Sequence, residues 1–159
     1  MMKIIDLSVV RLVLGALIAL KALDAFFATA LTIAYRMNLV GTAERLGRLT
    51  PGDDYARLIP LMDAVPLWLH ILWVLAGILY LIAIVRVVRG MGRAHIPVLA
   101  AVSFEVVTML VGRPIIEATG VVVNPNPSVV ATVVIPFVLP LLLAIVLSRQ
   151  TSVSIATSR

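Results

Sequence analysis

Between His70 and Arg86 the chain runs fifteen residues, Ile71 to Val85, with no charged side chain. A helix built from such a run has no polar face to turn toward water, so it needs apolar surroundings on every side. Three other stretches share this character. Together they predict spans at about residues 8–35, 66–88, 96–118 and 128–147, each near the ~20 residues that cross a hydrocarbon core. Composition agrees: 62% of the 159 residues are hydrophobic and 13% charged, with a mean hydropathy of +1.12. A chain this short, folded in water, leaves too much surface exposed to hide that apolar content. The expected fold is an all-α integral membrane protein. Four transmembrane helices form one domain over residues 1–150, with an extracytoplasmic loop at 36–65 and a polar cytoplasmic tail at 148–159.

The charged residues orient this bundle. Lys3, Arg11, Arg86, Arg89, Arg93, Arg149 and Arg159 flank one set of span ends. Arg36, Arg45, Arg48 and Arg57 fall at the other, in a loop that also holds Glu44, Asp53, Asp54 and Asp63. The bias of seven against four places both termini in the cytoplasm, and the uncharged connection after span three agrees. Tyr35, Tyr55 and Trp68 lie near the opposite interface, as an aromatic belt would. The net charge of +5 is distributed at span ends rather than in a basic block with interleaved aromatics. That pattern fits anionic lipid headgroups and not a nucleic-acid backbone. With no cysteine there is no disulfide, thiolate nucleophile or thiolate-held metal.

Local signals refine the connections. Thr50-Pro51-Gly52-Asp53 reads as a helix start inside the long first loop, with Leu58, Ile59, Leu61 and Met62 forming an apolar side. Asn126 and Pro127 read as the cap and first position of span four. Lys3, the apolar run from Leu12 and Ala28-Thr29-Ala30 trace the outline of a secretory signal. Lys21 and Asp24 interrupt that run, however, and more apolar residues follow the small-residue site. The segment is therefore read as a retained first span.

Lys21 and Asp24 also raise the main chemical question. A charge at mid-membrane costs at least ~2.5–3.5 kcal/mol and is expected to face the bundle interior with a partner. Span three carries Glu105 and Arg113. At ~1.5 Å per residue, Lys21 lies about 20 Å and Glu105 about 15 Å from the cytoplasmic end; Asp24 and Arg113 come about 24 and 27 Å up. Matching depths predict that spans one and three lie side by side, with Lys21 meeting Glu105 and Asp24 meeting Arg113. Ala25 and Ala28 share the Lys21–Asp24 face and allow close packing. His70 and Glu117 join at the outer level. The candidate polar cluster is thus Lys21, Asp24, His70, Glu105, Arg113 and Glu117.

His70 and His95 belong to opposite ends of the membrane, which excludes an internally ligated bis-histidine haem. No spacing suits zinc or a di-iron centre, and no cofactor is expected. Pro114, Pro136 and Pro140 are expected to kink their helices, as hinges, cavity walls or simple packing bends.

Val10-Arg11-Leu12-Val13-Leu14-Gly15, followed by Lys21, resembles the opening helix of the DoxX-like four-helix membrane proteins, small bacterial inner-membrane proteins of which some are tied to quinone-linked oxidation. The resemblance covers one span and carries no residue roles. Nothing orients Asp24, His70 and Glu105 into a catalytic constellation, so an enzyme is not expected. Two functions stand. One is a non-catalytic accessory or assembly subunit of the bacterial cytoplasmic membrane, partnered by lipids and by other membrane subunits or itself. The other is a small transporter or lipid- or quinone-binding protein that uses the polar pocket between spans one, two and three.

Overall fold

The computed structural model describes residues 7–50, 54–91, 93–118, 120 and 137–157. Among these the chain is all helical: α1 (Leu7–Arg36), a single 3₁₀ turn (Leu39–Gly41), α2 (Thr42–Gly47), α3 (Asp54–Ala64), α4 (Leu67–Val88), α5 (His95–Glu117) and α6 (Leu139–Thr157). Two of them, α4 and α5, are long and apolar enough to cross a membrane. α1, with 30 residues, is longer still, about 45 Å, and carries Lys21 and Asp24 near its middle.

α1 packs chiefly on α4, α5 packs on α4 as well, and α6 lies against both α1 and α5. Helices α1 and α5 are therefore diagonal partners, not the direct neighbours that matching charge depths suggested. The reason is connectivity. The short turn at residues 89–94 makes α4 and α5 antiparallel neighbours, and the long first connection swings α4 back along α1. The shared core runs up the centre through Val10, Leu14, Ile18 and Ala22 of α1, Ala76, Tyr80 and Ala83 of α4, Val98 and Ala101 of α5, and Ala144 and Leu147 of α6. α1 thus supplies a full face of that core.

The α4–α5 turn shows why sequence stops a helix here. Gly90 adopts φ +65°. The Met91 N–H donates to the Arg86 carbonyl at 2.8 Å and the Gly90 N–H to that of Val87 at 3.2 Å. This left-handed cap satisfies carbonyls that the last turn would otherwise orphan. Hydroxyls inside the helices are satisfied the same way, locally. Thr29, Thr32, Ser103 and Thr108 each donate to the carbonyl four residues earlier, at 2.8–2.9 Å. Such back-bonding lets a hydroxyl sit in apolar surroundings without a distant partner.

The first connection holds two short helices, one more than the sequence suggests. The expected helix start at Pro51–Asp53 lies outside the described residues. The apolar side of α3 does rest on the bundle: Met62 is buried and Ile59 and Leu61 half-buried. Arg36, the last residue of α1, fastens this layer. Its guanidinium donates to the backbone carbonyls of Met62, Asp63 and Val65, and the adjacent Tyr35 hydroxyl donates to Asp63 Oδ2 at 3.1 Å. A cation placed on the carbonyl end of a helix is favoured by its dipole. Arg36→Ala is accordingly expected to loosen α3 while the core remains folded. Limited proteolysis should then cut within residues 54–66 at least ~10-fold faster, since charge-assisted hydrogen bonds contribute about 1.5–3 kcal/mol. An unchanged cleavage rate would show that the clasp is dispensable.

The expected cap and first turns of span four, Asn126 to Pro136, lie outside the described residues. α6 continues through Thr157, well past Leu147, where the hydropathy pattern ends the span and a polar tail was expected. Ser148 is buried there, and its Oγ lies 2.8 Å from His95 Nδ1, tying α6 to the first residue of α5. Pro114 sits inside α5, which runs on to Glu117, and Pro140 is fully buried in α6.

Candidate functional site

Lys21 projects from α1 across the bundle axis and places Nζ 2.8 Å from Glu105 Oε1 on α5. Both side chains are largely enclosed, at 18% and 11% exposure. The second oxygen of the same carboxylate, Oε2, accepts from the Tyr80 hydroxyl of α4 at 2.8 Å. Lys21 Nζ also stands 4.5 Å from the centre of the Phe137 ring, just ahead of α6. One ammonium, one carboxylate and one phenol therefore join α1, α5 and α4 at a single level, with Phe137 beside them. The diagonal is spanned because Lys and Glu are long: the backbones need not touch for the charges to meet. Charge-assisted bonds in such an enclosed setting are the strong class.

A cavity of about 170 Å³ opens beside this network. Its lining comprises Lys21, Asp24, Ala25 and Ala28 from α1, Trp73 from α4, Glu105 and Met109 from α5, and Phe137. Ala25 and Ala28 leave the space that larger side chains would fill. The Trp73 ring packs T-shaped against that of His70, centroids 5.2 Å apart at 78°.

The six candidate residues separate into three places. Lys21, Asp24 and Glu105 share the central cavity. Arg113 does not meet Asp24; it pairs within its own helix, Nε to Glu117 Oε1 at 2.7 Å, and both side chains are about half exposed. Eight residues of α-helix turn Arg113 about 80° away from Glu105, which takes it out of the seam and onto the outer surface. Asp24 is exposed at the cavity and forms no ion pair or hydrogen bond among the described residues. His70 does not join Asp24 and Arg113 in an outer polar pocket. It is buried, with Nδ1 3.3 Å from the Pro66 carbonyl, and borders a separate apolar groove of about 540 Å³ between the α3-proximal ends of α1 and α4. Thr29, Ile33, Arg36, Leu67, Trp68 and Val74 also line that groove.

Tyr80 is the site residue that the sequence reading passed over. It is fully buried, and its depth was the available signal. Tyr80 lies eight residues from the end of α4 and Glu105 ten from the start of α5, so across a tight antiparallel turn they stand about 12 and 15 Å from the same end. Among the described residues no group of three or more His, Asp or Glu side chains could hold a metal ion. Both oxygens of Glu105 are engaged, one by Lys21 and the other by Tyr80. No protein-family model matches the chain, and no curated protein or solved structure is significantly similar to it.

Proposed function

We propose that this chain is a small four-span membrane protein that works as a non-catalytic accessory or assembly subunit, with both termini in the cytoplasm of a bacterium. The observation that carries the reading is a reversal of polarity between centre and surface. Two charges and a phenol meet in the middle, at Lys21, Glu105 and Tyr80, while large apolar side chains face outward. Leu12 is 75% exposed, Val88 75% and Leu110 71%, and Leu20, Leu23, Phe27 and Ile71 also lie on the outside. That is the arrangement a lipid solvent selects, and it extends to α1, which exposes Val9, Leu12, Leu20, Leu23 and Phe27. The clasped α2–α3 layer would give a partner an extramembrane surface at one end. The central charges, matched to each other, would fix helix packing.

Two measurements test this reading. The protein should stay with membranes through alkaline carbonate extraction, and release into the supernatant would end the membrane assignment. A tagged chain solubilised in mild detergent should then bring down a larger membrane protein in fixed stoichiometry; a homogeneous self-associated species would argue against the subunit role. A second reading, a small transporter or ligand-binding membrane protein, is favoured by one feature: Asp24 brings a charge to the central cavity that Lys21 and Glu105 do not cancel.

A further inference from the structure

The central cavity has more acid than base. Its lining holds one ammonium and two carboxylates, and the ammonium is already committed to Glu105 at 2.8 Å and to the Phe137 ring. What remains is the carboxylate of Asp24, mid-way along an apolar helix and free of ion pairs among the described residues. A carboxylate at such a depth needs a counter-charge. Trp73 lines the same cavity; its ring is the kind of π surface that attracts cations, and it packs T-shaped against His70. Calcium or magnesium would want six or more oxygen ligands, and Asp24 is the only carboxylate of the lining with both oxygens uncommitted; among the described residues no three ligating side chains come together for any other metal. The volume, about 170 Å³, falls below the ~300 Å³ at which pockets for drug-sized ligands begin.

We propose that this cavity binds a small organic ammonium ion, with Asp24 as its counter-charge and the Trp73 ring as its wall. The Lys21–Glu105–Tyr80 network serves as the rigid floor of the site and does not touch the charge of the ligand. This gives a ligand class to the second reading above and rests on the membrane setting of α1, which carbonate extraction reports separately.

Tetramethylammonium chloride is the probe and Trp73 the reporter. With Trp68→Phe, Trp73 is the only tryptophan in the chain, and its fluorescence can be followed in purified full-length protein in lipid nanodiscs. A saturable change is expected with tetramethylammonium, absent with sodium chloride at equal ionic strength and with the neutral isostere tert-butanol. Asp24→Asn should weaken that response at least ~10-fold, as loss of a charge-assisted contact requires. Its thermal midpoint should be unchanged or higher, because a lone charge has been removed from an apolar helix. Arg113→Gln, on the outer surface, should bind as the parent does. Absence of saturation, an equal response to sodium, or an undiminished response in a folded Asp24→Asn protein would overturn the proposal.

Discussion

Lys21→Met is expected to destabilise the folded protein by about 3–5 kcal/mol, the range for breaking a buried pair and leaving one charge behind. The Glu105 carboxylate would then keep only the Tyr80 hydroxyl at 2.8 Å. The reverse change, Glu105→Gln, should be milder. Lys21 would still have Asp24 three residues away along the same helix face, in the same cavity, and the Phe137 ring at 4.5 Å. The double variant Lys21→Met, Glu105→Gln removes both charges and should recover most of the lost stability, so the cycle gives a favourable coupling. Tyr80→Phe should cost about 1.5–3 kcal/mol while Glu105 is ionised, and clearly less beside Glu105→Gln, because a bond to a charged acceptor becomes a bond to a neutral one. Titration of the folded protein in mild detergent with sodium dodecyl sulfate reads all five species. Additive single effects would mean that the two charges do not sense each other across the bundle.

That asymmetry is only partly written in the sequence. The pairing of residue 21 with residue 105 follows from depth alone, since rise per residue fixes where each lies along its helix. Which helices are neighbours does not follow from depth. Side chains as long as Lys and Glu meet equally well across an adjacent seam or a diagonal, so the correct pair suggested the wrong adjacency. Asp24 and Arg113 show the opposite failure: their depths match, but rotation about the helix axis carries Arg113 out of the seam to Glu117, one turn away. Depth is linear in sequence, whereas facing depends on the packing of every other helix. Arg36 was legible as a loop cation but not as the clasp on α3, because its acceptors are backbone carbonyls about 27 residues further on, and carbonyls leave no trace in sequence.

Gly77→Leu is expected to push α1 away from α4 and to lower stability by about 1–3 kcal/mol or more, the range for overfilling a packed core. Even a single methyl at this position would stand 3.0 Å from Phe26 Cζ, 3.1 Å from Phe26 Cε2 and 3.4 Å from Ala25 Cβ. Close approach of the backbones here depends on having no side chain, as at many helix contacts within membranes. Gly77 is one turn from Trp73 on α4, and Ala25 belongs to both this contact and the cavity lining. Separation of the two helices should therefore also change Trp73 emission, which simple loss of stability in a still-native fraction would not do. Two companions make the cause explicit. Gly77→Ala should be largely rescued by Phe26→Leu, which withdraws the ring atoms in the way. Gly15→Ala, in α1, meets nothing within 4 Å and should be neutral or stabilising by up to about 1 kcal/mol through helix propensity. If Gly77→Leu and Gly15→Ala proved equally harmless, the tight α1–α4 contact that shapes the cavity would not exist.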